Sequence, residues 1–290
     1  MTSATPPSDA ASIRAALGLP PVQVTAPRVR IAYGEDVSQF GELFLPGGDG
    51  PVPVVIVIHG GAWRHRFDLE LGTPLAADLA EHGVAAWNIE YRRVGGGGGW
   101  PTTFEDVAAA VDALAGPVQS AAANRLDLSR IVAIGHSSGG HFAAWVAARD
   151  RLPTGAPGAA PVVRLIGAVC QAAVLDLEDA SRRRLVSGAV DDFMGGSASD
   201  LPEQYAIASP AALLPIGVPV VCVHGYADPT APFDQSEQFV AASTAAGGAA
   251  RLVALPGIGH FEVINPDHPA WHVCRDEALR LLGIAGGGQQ

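Results

Sequence analysis

Gly135-His136-Ser137-Ser138-Gly139 places a serine between an apolar run ending at Ile134 and a helix-forming stretch from about Ser138 to Arg149. A serine on so sharp a strand-to-helix turn exposes its Oγ beyond the sheet edge, and the flanking glycines let strand and helix approach closely. The chemistry on offer is nucleophilic attack. In a chain with 35 glycines the pattern alone says little; its position between strand and helix gives it weight.

A second group, His59-Gly60-Gly61-Ala62-Trp63, directly follows the apolar run Val54 to Ile58. Two glycines allow a tight loop whose backbone N–H groups stabilise a developing oxyanion, and small residues leave room for a substrate carbonyl. The candidate donors are the amides of Gly60, Gly61 and Ala62, with that of Ser138 from the start of the following helix.

A serine needs a base, and the base an orienting acid. His260 lies in Pro256-Gly257-Ile258-Gly259-His260-Phe261, just past the last apolar run, where a glycine loop presents it over the sheet edge. His224, His268 and His272 are its rivals. Asp228, in His224-Gly225-Tyr226-Ala227-Asp228, is the candidate acid, ahead of Asp234 and Asp176. The order Ser137, Asp228, His260 leaves room between members for further helix and strand units, and it is the hydrolase order.

Positioning these residues falls to a regular alternation. Arg28 to Tyr33 and Phe40 to Leu45 read as an antiparallel entry hairpin around Gly34-Glu35-Asp36. Val52 to Ile58, Val84 to Ile89, Arg130 to Ile134, Val162 to Val169, Pro219 to Val223 and Arg251 to Leu255 are short β-branched runs suited to burial on both faces. Helical patterns lie between them, as in Leu71, Leu75 and Leu79 or Phe104, Val107 and Val111. The expectation is an α/β fold: a mostly parallel sheet of roughly eight strands with helices on both faces. Residues 1–26 read as a flexible arm, 27–285 as a single domain, 176–208 as a small lid insertion and 286–290 as a disordered tail. The glycine run 95–99 reads as a flexible turn.

Composition narrows the function. All 18 basic residues are arginine, against 29 acidic ones, for a net charge of −11, which argues against nucleic acid because binding it requires a basic footprint. Arg182-Arg183-Arg184 lies among acidic neighbours and reads as a solvated helix face. Cys170, Cys222 and Cys274 are too few and scattered for a disulfide framework or metal site. No stretch resembles an export signal or reaches spanning length, so a cytoplasmic protein is the default expectation. Homo-oligomer formation stays open.

These motifs resemble the α/β-hydrolase superfamily, and within it the esterase, lipase and arylformamidase group with an H-G-G-x-W loop, matched here by His59 to Trp63. The resemblance covers about residues 28 to 283 and includes Asn88 to Arg93, Gly139-Gly140-His141 and Ser209-Pro210. It implies a serine carboxylesterase acting on small to medium esters through an acyl-enzyme, without metal or organic cofactor; arylformamidase action on N-formylkynurenine is the alternative. A non-catalytic ligand-binding module of the same fold would usually lack one of the three residues. Ala62 stands where many relatives have a third glycine, and the amino-terminal segment is too short for a large helical cap. Trp63, Phe193, Met194, Tyr226 and Phe261 are the expected pocket walls, while Glu90, Tyr91 and Arg92 read as a buried ion pair fixing neighbouring loops.

Overall fold

The computed structural model describes residues 10–21 and 24–284. Eight strands form one sheet: β1 (Arg28–Ala32), β2 (Phe40–Phe44), β3 (Val52–Ile58), β4 (Ala85–Ile89), β5 (Leu126–His136), β6 (Gly167–Gln171), β7 (Val220–Gly225) and β8 (Ala250–Leu255). Their order is β1-β2-β4-β3-β5-β6-β7-β8. The first two pairings, β1 with β2 and β2 with β4, are antiparallel, and every pairing from β4 to β8 is parallel. This is the α/β-hydrolase arrangement that the alternation of elements leads one to expect.

The connections contain α1 (Ala10–Ala16), α2 (Thr73–Glu81), α3 (Thr102–Asp112), α4 (Pro117–Ala121), α5 (Ser138–Ala147), α6 (Leu177–Arg182), α7 (Leu185–Met194), α8 (Pro202–Ala208), α9 (Asp234–Ala245) and α10 (Pro269–Leu281). Side chains alternate across a strand, so each buried β3 residue serves one of two cores. Val54, Ile56 and Ile58 pack with Phe104, Phe142, Phe193 and Phe239 of α3, α5, α7 and α9. Val55 and Val57 face Leu75 of α2 and Trp271 and Cys274 of α10. Burial on both faces is why β3 reads as an unbroken apolar run.

Three expectations change. The run Val162 to Val169 enters the sheet only at Gly167, because the amides of Val162 and Val163 are taken by the Asp112 carboxylate before the chain reaches the ladder. Part of the expected arm, residues 10–21, packs against the domain: Ile13 and Leu19 are buried in the α2 and α10 core. The glycine run is held as a turn, with the Gly96 and Gly98 amides on the Arg93 carbonyl. Residues 1–9 of the arm and the tail 286–290 lie outside the described residues.

The three cysteines are buried free thiols. Arg182 and Arg183 both pair with Asp179. Among the described residues no helix is long and apolar enough to cross a membrane.

Candidate active site

Ser137 sits between β5 and α5 with φ 54° and ψ −117°, a conformation that costs a non-glycine residue energy and is kept where the surroundings enforce it. Its amide donates to the Gln171 carbonyl (2.8 Å) and its carbonyl accepts from His141 N (3.1 Å). The chain can pass this closely only because Gly60 has no side chain. A Cβ there would stand 2.7 Å from the His136 carbonyl oxygen and 2.9 Å from His136 Nδ1.

The loop after β3 carries Gly61, Ala62 and Trp63 at φ values of 125°, 52° and 56°. Neither the Gly61 nor the Ala62 amide has an acceptor among the described residues, and Ser138 is the first residue of α5, where helix amides lack intrahelical partners. A buried network holds the loop from behind. Tyr91 Oη donates to the His59 carbonyl (2.7 Å), and the two rings stack at 4.5 Å. His59 Nδ1 donates to the Gly60 carbonyl (2.7 Å). Glu90 pairs with Arg93 and accepts the Leu69 and Tyr91 amides at 3.1 and 2.8 Å. Burial, reinforced by the Arg93 charge, lowers the His59 pKa to about 3, so the ring is neutral. The ion pair expected at residues 90–92 is thus Glu90 with Arg93; Arg92 turns to Asp106 instead.

Asp228 and His260 meet at 2.6 Å between Oδ2 and Nδ1. Asp228 Oδ1 accepts the Thr230 and Ala231 amides at 2.7 and 2.9 Å. Burial pushes this carboxyl upward, but hydrogen bonds from His224 and His260, the His260 charge and the Thr230 amide outweigh it and hold the group well below the usual carboxylate range. The rival acids are elsewhere: Asp176 caps α6 through the Asp179 amide, and Asp234 pairs with Arg183. Of the rival bases, His268 caps α10 and His272 reaches the Pro266 carbonyl.

Ser137 and His260 line one cavity of about 190 Å³ with Gly61, Ala62, Phe67 and Val186. A second, of about 470 Å³, adjoins it through Leu17, His260 and Phe261 and is edged by Glu262 and Asn265. Of the expected pocket walls, Phe261 lines both cavities. Trp63, Phe193 and Met194 are instead buried in the core, where Trp63 stacks on Phe193. Tyr226 is 59% exposed and lies against Phe233. The expected lid, 176–208, contributes Val186 to the smaller cavity.

One histidine escaped the sequence reading. His136 donates from Nε2 to the His260 carbonyl (2.8 Å), and their rings lie 4.6 Å apart. Burial, aided by the His260 charge, lowers the His136 pKa to about 3, so it tethers as a neutral ring. Adjacency to Ser137 in sequence was the only available sign. His224, expected as a rival base, instead reaches the candidate acid Asp228 directly.

Residues 42–242 match the BD-FAE family model. Isoprenylcysteine alpha-carbonyl methylesterase ICME of Arabidopsis thaliana is 26% identical over 265 residues, 83% of this chain and 58% of that protein. Esterase LipC of Mycobacterium tuberculosis is 28% identical over 256 residues, 82% of this chain and 60% of that protein. The chain therefore spans about three-fifths of the length of these relatives. Kynurenine formamidase of Danio rerio is 30% identical over 128 residues, 44% of this chain and 41% of that protein. Among solved structures, a truncated carbohydrate esterase from gut microbiota superposes with a TM-score of 0.75 at 22% identity, covering 88% of this chain and 95% of that one.

Proposed function

Because this chain belongs to the BD-FAE family of the α/β-hydrolase superfamily, we propose that it is a serine esterase cleaving small to medium carboxylic esters, with Ser137 as nucleophile. The single observation that carries this reading is the Asp228–His260 pair at 2.6 Å, whose imidazole lines the same cavity as the elbow serine.

In this reading Ser137 Oγ attacks the ester carbonyl while His260 Nε2 takes the hydroxyl proton, forming the Oγ–C bond. Asp228 holds the Nδ1 proton and so fixes the tautomer. The amides of Gly60, Gly61, Ala62 and Ser138 are the donors that receive the oxyanion. Breaking the C–O bond releases the alcohol, which takes the proton from His260. Water, deprotonated by the same imidazole, then attacks the acyl-enzyme; the acyl–Oγ bond breaks, Ser137 Oγ takes the proton back from His260, and the acid leaves. The modest cavity beside Ser137 favours a short acyl group.

The test is hydrolysis of a p-nitrophenyl ester series and of N-formylkynurenine by wild type and Ser137→Ala, with fluorophosphonate labelling mapped by peptide mass. Label on Ser137, with ester turnover lost in the variant, is the expected result. Turnover of N-formylkynurenine in preference to every ester would make the protein a formamidase. No label and no turnover would overturn the enzymatic reading in favour of a ligand-binding module.

A further inference from the structure

His224 closes β7 with no exposed surface. Its Nε2 lies 3.0 Å from the Ala231 carbonyl and 3.2 Å from Asp228 Oδ2. A carbonyl only accepts, so Nε2 carries a proton and shares it between these two oxygens. Nδ1, 2.8 Å from Ser236 Oγ, is then the acceptor of the serine hydroxyl when the ring is neutral. Ala231 is held at both ends of this arrangement: its carbonyl takes the His224 proton and its amide donates to Asp228 Oδ1.

We propose that His224, backed by Ser236, is a positioning residue that fixes which oxygen of Asp228 faces His260 and shares that oxygen's negative charge. This rests on the esterase reading for its kinetic consequence. With two amides on Oδ1 and two imidazoles on Oδ2, Asp228 has four donors for its roughly four lone-pair sites. A carboxylate so divided gives less charge to each partner. It orients His260 without over-stabilising the imidazolium, which must surrender its proton to the leaving group.

The surroundings leave few other sources of such tuning. From β5, His136 is neutral and bonded to the His260 carbonyl. From β7, the Cys222 thiol, pushed up to about 12 by burial, bonds to Ser236 and stays protonated. From α9, Asp234 is committed to Arg183. Phe233 covers the His224 ring edge-on at 5.6 Å and Tyr226 covers Phe233.

The experiment compares His224→Leu, His224→Gln and Ser236→Ala in the full chain by pH–rate profile and by NMR titration of His260 without substrate. Removing the donor makes Asp228 more basic, which stabilises protonated His260. His224→Leu is expected to lower kcat about 10- to 100-fold, the range for outer-sphere ligand partners, with KM within about twofold. The acidic limb of kcat/KM and the His260 titration should both move to higher pH. His224→Gln, whose amide restores a donor near Nε2, recovers most of the rate and the original limb. Ser236→Ala, which removes the hydroxyl on Nδ1, should move the limb and the His260 titration the same way by a smaller amount, so it carries the comparison where His224→Leu does not fold, with Gln as the control.

A His260 titration that stays put in every folded variant overturns the proposal, as does a Gln variant no better than Leu. If instead the titration shifts but no variant, nor the wild type, turns over any ester, the positioning role stands and the esterase reading falls.

Discussion

Trp63 and Phe193 stack with ring centroids 4.9 Å apart and planes 9° from parallel. The loop after β3 is thereby joined to the end of α7, which also receives the Trp100 amide on the Phe193 carbonyl and presents the ring to Phe104 at 5.3 Å. The segment expected as a lid is at this end part of the core.

Phe193→Ala should therefore act at two levels. Removing a fully buried ring is expected to cost about 3–5 kcal/mol of stability, read as a lower denaturant midpoint with little change in m-value. Because the ring supports Trp63, ester kcat should also fall by about tenfold while KM changes less.

Asp228→Asn leaves the shape of the acid but offers an amide that can stabilise the wrong imidazole tautomer. An expected kcat loss of about 10³- to 10⁴-fold at nearly unchanged KM would be measured on the best p-nitrophenyl ester, with thermal melting to show that the fold persists. Loss below tenfold would remove Asp228 from the proposed triad.

Gly60→Ala places a methyl group against backbone, which cannot swing away. The loop must shift, and a displaced oxyanion donor is expected to lower kcat about 10²-fold or more. Circular dichroism should stay native, since β3 before the loop is untouched.

Stability should depend on pH through three buried histidines. Burial, with the Arg93 charge, brings the His59 pKa to about 3; burial and His260 bring His136 to about 3; burial outweighs backbone hydrogen bonds to bring His141 to about 4. Unfolded histidine titrates near 6.5, so between these values the unfolded chain binds more protons and stability rises with pH. Acidification from pH 6.5 toward 4 should destabilise the fold by up to about 4 kcal/mol per pH unit once all three contribute. Urea midpoints measured across that range, with proton uptake on unfolding, would check it; flat midpoints would contradict it.

The sheet was legible because its central strands are buried on both faces and so read as short apolar runs, Val- and Ile-rich in β3, β5 and β7, a pattern that depends only on sequence neighbours. Ser137, Asp228 and His260 could be singled out because each follows a strand, so chain order implies spatial meeting at one sheet edge, where Asp228 bonds His260 and His260 shares a cavity with Ser137. Aromatic character was a poor guide to the pocket. Trp63 and Phe193 satisfy the core and the cavity equally well by residue type, and only their partners decide. His224 was set aside as a failed candidate for the base, since its use depends on the Ala231 carbonyl folding back to meet it.

Leu17 lines both cavities that flank His260, yet it belongs to the short stretch after α1, anchored by Ile13 and Leu19 and by Arg14 reaching the Pro20 carbonyl. In the proposed esterase, substrate enclosure would thus be a composite of the domain and its leading segment. Removing residues 10–21 would leave Ser137, Asp228 and His260 on their strands and strip one wall from each chamber, trading selectivity for access.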